Sequence, residues 1–236
     1  MNLIVLLDED FSGSADRVRL TGRRYQHLTE IQRVEMGSRL RVGRLNGSVG
    51  EGCVTELGLD FAELEVSFHH PPPSSSPITL VLALPRPPVL KRVLISATSM
   101  GVKRIVLLGA AAVEKSFWQS HALRDESIFD QLILGLEQGR DTQLPQVELR
   151  PRFRPFVEDE VLTRLGSGQL YVAHPAPIPC FPSPGREGDL LVIGPEAGWN
   201  EFELNLWDRL EAQRVSLGSR PLRVEAAVPA LLGRFI

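Results

Sequence analysis

The sequence predicts an α/β fold with a parallel sheet, preceded by a small β-rich, barrel-like module. Three observations carry this reading. Near-continuous apolar strands such as Ile78–Leu84 and Asp189–Ile193 alternate with helical stretches, the pattern of a parallel sheet covered on both faces. The segment His69-His70-Pro71-Pro72-Pro73-Ser74-Ser75-Ser76-Pro77 interrupts the chain, and its prolines lack the amide donors that a central strand or helix interior needs. Before it, short strand-like runs are separated by Gly and Asn turns. The predicted organisation is a domain over 1–70, a linker over 71–77 and a second domain over 78–236.

In the first domain Leu3–Leu7, Arg39–Val42, Gly50–Leu57 and Ala62–Phe68 read as strands, with turns at Gly37-Ser38, Asn46-Gly47 and Gly58. Thr21–Ile31 reads as a helix with Thr21 as N-cap and Tyr25, Leu28 and Ile31 at helical spacing. In the second domain the strands are Ile78–Leu84, Arg104–Gly109, Gln146–Leu149, Gln169–Ala173, Asp189–Ile193 and Arg214–Leu217. Helices are expected at Pro88–Gly101, Leu123–Gly139, Phe156–Leu165, Asn200–Gln213 and from Arg223 to the end. Proline in its first turn and Gly101 at its end bound the Pro88 helix. Asn200 and Glu203 have capping-box spacing, and Trp199 with Leu204 can form the hydrophobic staple.

No apolar run reaches the ~18–20 residues of a membrane helix. Met1–Asp10 lacks a basic start and a small-residue cleavage site, so it reads as a first strand, not a signal peptide. Cys53 and Cys180 have no metal-like spacing; the expectation is no disulfide scaffold, no metal, no membrane association and a cytoplasmic setting. The net charge of −3 hides an uneven distribution. Positions 17–44 hold Arg17, Arg19, Arg23, Arg24, Arg33, Arg39, Arg41 and Arg44 against Glu30 and Glu35. Arginine forks match phosphate, although a solvated basic face gives the same pattern.

Two segments stand out as a ligand site. Leu190–Ile193 breaks into Gly194-Pro195-Glu196-Ala197-Gly198, and Val215–Leu217 breaks into Gly218-Ser219-Arg220-Pro221. Each is a strand, a tight loop and a helix, and such loops at the C-terminal ends of parallel strands are where ligands bind in open α/β sheets. His174 ends a neighbouring predicted strand. There is no dinucleotide fingerprint and no P-loop lysine. Arg223 and Glu225 stand two apart at a helix start, where an ion pair capping the helix is the plain reading.

These residues resemble the SPOUT superfamily of methyltransferases, and within it the bacterial family that methylates N3 of a uridine in 16S ribosomal RNA. The resemblance covers nearly the whole chain. Leu20-Thr21-Gly22 with His27-Leu28 is similar to the family's Leu-Thr-Gly-x-x-x-x-His-Leu, and Met36–Leu40 to its Gly-Asp-x-Leu turn. Ala97-Thr98-Ser99-Met100-Gly101-Val102 is similar to Ala-Thr-Glu-Leu-Gly-Val, and Glu137–Arg140 with Leu144-Pro145 to its Glu-Gln-x-x-Arg and Pro elements. Ile193–Gly198 and Ser216–Ala227 resemble its two cofactor loops. The chain departs from the family at Ala197 and Trp199, where Gly and Phe are usual, and at Ala226, where Thr is usual.

The resemblance implies a PUA-like RNA-binding barrel, an α/β domain with a C-terminal trefoil knot, a homodimer, and S-adenosylmethionine as methyl donor. It implies cofactor contacts from His174, Ile193, Gly194, Pro195, Glu196, Ala197, Gly198, Ser216, Leu217, Gly218, Leu222, Arg223 and Ala226. Arg223 is expected to stabilise charge on the acceptor base, with Glu196 or Glu225 positioning groups or taking the proton. Arg17, Arg19, Arg23, Arg24, Arg39 and Arg41 are expected to grip phosphates of ribosomal RNA or the small subunit. The alternative is a catalytically inactive RNA-binding homologue.

Overall fold

The computed structural model describes residues 2–11, 13–175 and 185–235; Cys180 lies outside them. The chain divides into two compact units, 1–74 with 133–144, and 75–132 with 145–236.

The first unit contains β1 (Ile4–Leu6), β2 (Arg17–Thr21), β3 (Arg39–Arg44), β4 (Val49–Leu57) and β5 (Phe61–His70), in the sheet order β1-β3-β4-β5-β2. β1 runs parallel to β3, and the other neighbours are antiparallel. The sequence reading places no strand at β2. Its Arg-Val-Arg-Leu-Thr alternates in burial, and Val18 and Leu20 enter a core with Ile4, Leu6, Leu28, Val42 and Leu64. The expected Thr21–Ile31 helix is α1 (Gly22–Gln26) followed by a wider turn, His27–Ile31; Thr21 occupies the N-cap position but its side chain makes no capping bond.

Three carboxylates are buried in this unit, Asp10, Glu137 and Asp141, and arginines meet the first two. Arg24 meets Asp10 with a fork, Nη1 to Oδ2 at 2.5 Å and Nη2 to Oδ1 at 2.6 Å, and also donates to the Val5 carbonyl at 2.9 Å. Arg23 Nη2 donates to Glu137 Oε2 at 2.9 Å, while Glu137 Oε1 is buried without a partner among the described residues. Burial pushes the Glu137 carboxyl up, against the opposing pull of Arg23.

The second unit contains β6 (Thr79–Ala83), α2 (Pro87–Ser99), β7 (Arg104–Leu108), α3 (Asp125–Gly139, its end grouped with the first unit), β8 (Gln146–Arg150), α4 (Phe153–Pro155) and α5 (Val161–Leu165). It continues with β9 (Leu170–Ala173), β10 (Leu190–Ile193), α6 (Glu201–Arg209), β11 (Gln213–Val215) and α7 (Val224–Leu232). The sheet order is β11-β9-β10-β6-β7-β8, and every pairing is parallel. This is the predicted parallel sheet. Its strands are apolar because both faces are covered: Val81, Val106, Val172 and Val192 belong to one buried cluster with Phe156 and Trp207.

α2 ends as its sequence suggests. Met100 caps it, Gly101 has φ 83°, and the Val102 N–H reaches back to the Ala97 carbonyl at 3.1 Å. The helix expected over Asn200–Gln213 stops at Arg209, because Glu211 turns left-handed with φ 56° and sends the chain into β11. The last expected strand likewise leaves the sheet after Val215, and the last helix begins at Val224 with Arg223 as its N-cap.

Candidate active site

In the second unit β9 lies between β10 and β11, and all three point the same way. Their C-terminal ends therefore open on one side, and the loops that follow line a cavity of about 380 Å³. β9 contributes His174, whose backbone N–H donates to the Val215 carbonyl at 3.0 Å. β10 contributes Ile193 and the whole Gly194–Gly198 loop, and β11 contributes Ser216, Leu217, Gly218 and Leu222.

Both loops need glycine where they turn. Gly198 has φ 78° and donates to the Pro195 carbonyl at 2.8 Å; Gly218 has φ 105° and donates to the Ser216 hydroxyl at 3.0 Å. Gly194 is needed for space, since a Cβ there would come within 2.8 Å of Trp199 Nε1. Trp199 is buried and packs with Phe153 and Trp207, ring centroids 5.7 Å away in each case. The same cluster takes in Leu204, as a staple requires. The capping box is formed: Asn200 Oδ1 accepts from the Glu203 N–H at 2.8 Å and Glu203 Oε2 from the Asn200 N–H at 3.0 Å. Glu203 Oε1 also accepts from the Ala111 N–H at 2.7 Å, which ties the start of α6 to the loop after β7.

Of the predicted cofactor contacts, Arg223 and Ala226 do not line this cavity. Ala226 is turned off the lining face of α7, which is made by Val224, Ala227 and Leu231. Those three lining residues are additional to the expected set. Their spacing of three and four along one helix face is equally the mark of a helix packed on a core, so the sequence does not single them out. Arg223 instead lines a second cavity of about 480 Å³ together with Arg86, Arg92 and Glu225. Glu196, Pro221 and Leu222 line both cavities and form the wall between them.

Glu196 is held by Arg86, which follows β6, the parallel strand beside β10. Arg86 Nε donates to its Oε1 at 3.1 Å and Arg86 Nη2 to its Oε2 at 2.7 Å, and the carboxylate raises the Arg86 pKa. Arg92 faces Glu225 at 3.9 Å. The Arg223 guanidinium has no hydrogen bond or ion pair among the described residues, so the expected pair with Glu225 is not made. No sequence signal marks Arg86 and Arg92, because each lies more than a hundred residues from its glutamate in the chain.

The expected RNA-gripping arginines fare differently from one another. Arg24 is half-buried, and both ends of its guanidinium are engaged by Asp10, which sets it apart from the other arginines expected to grip phosphate. Arg23 is held by Glu137. Arg19 bonds Glu63 at 2.6 Å and lies over the Phe61 ring, and Arg39 stands 3.7 Å from Glu51. Arg17 and Arg41 have no side-chain partner among the described residues. No group of three metal-ligating side chains occurs among the described residues, and no helix there is long and apolar enough to cross a membrane.

The RNA methyltransferase domain family matches residues 72–236, which hold this sheet and both cavities. The chain belongs to that family. As an RNA methyltransferase it has relatives along its whole length. It is 28% identical to ribosomal RNA small subunit methyltransferase E of Treponema pallidum, over 98% of this chain and 88% of that one. It is 26% identical to the protein of the same name from Synechocystis, over 92% and 72%. Its fold is that of the ribosomal RNA small subunit methyltransferase E from Neisseria gonorrhoeae bound to S-adenosyl methionine, with a TM-score of 0.76 at 21% identity over 99% of this chain and 95% of that one.

Proposed function

We propose that this methyltransferase transfers the methyl group of S-adenosylmethionine to N3 of a uridine in 16S ribosomal RNA. The observation that carries the reading is the convergence of the loops after β9, β10 and β11 on one cavity, in a chain whose relatives are named for small-subunit ribosomal RNA. The residues fit the cofactor. The cavity volume of about 380 Å³ lies in the range of small-molecule sites. Ile193, Val224 and Leu231 give it an apolar lining, and the missing side chain of Gly198, with nothing within 4 Å of its place, lets a ligand approach the backbone. Trp199 Nε1 adds a buried donor without a partner among the described residues.

S-adenosylmethionine supplies a methyl group on a cationic sulfur, already activated, so the protein's task is positioning. The Ile193–Gly198 and Ser216–Leu222 segments, with His174, hold it. Uracil N3 must lose its proton, and negative charge spreads onto the ring oxygens. Arg223, unpaired among the described residues at the N-terminus of α7, is the cation that stabilises this charge. Both oxygens of Glu196 are engaged by Arg86, whereas Glu225 has only its 3.9 Å partner, so Glu225 is the proton acceptor in this reading.

The first unit is proposed as the PUA-like RNA-binding domain, with Arg17, Arg19, Arg39 and Arg41 as phosphate contacts. The trefoil knot, a homodimer and work in the cytoplasm belong to the same reading; the strand order β11-β9-β10-β6 supports the first of these. The test is transfer of labelled methyl groups to 30S particles or 16S ribosomal RNA, with mapping of the modified base. Arg223→Ala is expected to lower turnover roughly 10²–10³-fold, the cost of removing one transition-state donor. Wild-type turnover in that variant would exclude the electrostatic role, and absence of S-adenosylmethionine binding by calorimetry would favour an inactive RNA-binding homologue.

A further inference from the structure

The second cavity has a composition that the methyl donor does not explain. Its walls carry three guanidinium groups, Arg86, Arg92 and Arg223, against two carboxylates, Glu196 and Glu225. Arg86 and Arg223 are N-cap residues of α2 and α7, positions that usually carry Ser, Thr, Asp or Asn, and neither helix has a side-chain cap. Two helix starts and an excess cation thus meet in one recess. At α2 the first two residues are Pro87 and Pro88, which have no N–H to offer. At that helix start an anion is therefore met by the guanidinium forks and not by the first backbone amides.

The three arginines are not equivalent. Arg86 is used by both oxygens of Glu196. Arg92 is 61% exposed, and its carboxylate neighbour Glu225 stands 3.9 Å away, too far for a hydrogen bond. A phosphodiester can take Arg92 from Glu225 at little cost, because an exposed pair of this kind is worth about 0–1 kcal/mol. The recess opens across the Glu196 wall from the cavity assigned above to the methyl donor.

We propose that this second cavity receives the acceptor nucleotide of the RNA, with Arg92 binding its phosphate and thereby placing the base between Arg223 and the methyl donor. The proposal rests on the function proposed above. Arg92 is a positioning residue: it holds the nucleotide and leaves the reacting atoms to Arg223 and Glu225. Glu225 competes with the phosphate for Arg92 until the RNA arrives.

The experiment measures the KM for 30S particles at several monovalent salt concentrations, with S-adenosylmethionine binding followed separately by calorimetry. Arg92→Ala is expected to raise the KM about tenfold and to make the slope of log KM against log salt shallower by about 0.7, the loss of one phosphate contact to single-stranded RNA. Arg92→Lys, which keeps the charge, restores most of the slope. Cofactor affinity stays at the wild-type value in both. Glu225→Gln frees Arg92 and is expected to tighten equilibrium binding of 30S particles, opposite in direction to Arg92→Ala. If the pair merely steadied the fold, both variants would weaken binding together, and that result overturns the proposal. An unchanged KM and slope in Arg92→Ala overturns it as well. If the wild type neither binds S-adenosylmethionine nor methylates 30S particles, the proposed function fails first, and the two failures are thus told apart.

Discussion

Arg86 and Glu196 are joined by two hydrogen bonds, Nε to Oε1 at 3.1 Å and Nη2 to Oε2 at 2.7 Å, although 110 residues separate them in the chain. Glu196 stands in the wall between the two cavities, and Arg86 holds it from the second. The two side chains are 59% and 43% exposed, so the pair contributes roughly 0.2–1 kcal/mol to stability. Arg86→Met is therefore expected to move the melting temperature by no more than about 4 °C in a chain of this size. Turnover is expected to fall at least about tenfold, since a loop glutamate freed from its partner no longer fixes the geometry of transfer. Melting curves and methyl transfer on the same sample decide it: a large loss of stability with normal turnover would show that the pair serves the fold.

The two glycines of the β10 loop are expected to fail in different ways. In Gly194→Ala the new Cβ meets Trp199 at 2.8 Å and 2.9 Å, and overpacking of this kind costs about 1–3 kcal/mol. In Gly198→Ala nothing lies within 4 Å, and the cost is the left-handed backbone at φ 78°, about 1–2 kcal/mol. Gly194→Ala should thus lower the melting temperature more, while both weaken S-adenosylmethionine binding. The reverse ranking in thermal melts would contradict the packing assigned to Trp199.

Glu203 is only 2% exposed and accepts from two backbone donors, Asn200 N–H and Ala111 N–H. Glu203→Ala strands both, at about 1–3 kcal/mol for each buried unsatisfied group. Glu203→Gln keeps one acceptor oxygen and is expected to cost about half as much. Urea midpoints of the two variants measure this; equal midpoints would mean that one of the two bonds contributes nothing.

Arg150 and Arg164 interleave with Glu148 and Glu160 through four contacts of 2.5–2.8 Å. Hydrogen bonds from Arg164 hold Glu148 below the usual carboxylate value of 4.5, and those from Arg150 do the same for Glu160. Because the folded pKa values are depressed, the stability this cluster provides is present above pH 4.5 and is lost as the pH falls through the folded values. Arg164→Ala should cost about 1 kcal/mol at pH 7, allowing for solvent screening of side chains nearly a third exposed, and much less near pH 3. Denaturation at both pH values tests this, and a gap that does not narrow in acid would remove the ion pairs as its cause.

Local signals in the sequence transfer well to the fold. Gly101 ends α2 because only its φ of 83° lets the chain reverse there, and Asn200 with Glu203 starts α6 through bonds three residues apart. The two cavity loops are visible for the same reason, since glycine and proline mark turns whatever the surrounding fold. What the sequence hides depends on partners distant in the chain. β2 is obscured by its alternating arginines, because the burial of Val18 and Leu20 exists only once the sheet has formed. Arg24 looks like its neighbours until Asp10 is folded against it. Arg86 and Arg92 carry no motif of their own, and their place beside Glu196 and Glu225 follows from the sheet and helices bringing them there.

The strand order has a consequence for how activity is acquired. β10 enters the sheet between β6 and β9, both of which precede it in the chain, and β11 then passes to the outer edge beside β9. Parallel neighbours cannot be joined by tight hairpins, and such long-range pairings form slowly. The cavity has no walls until β10 has been seated and β11 has crossed over. Refolding protein should therefore regain helical signal well before it can bind a ligand, and added ligand should stabilise only molecules that have completed that final insertion.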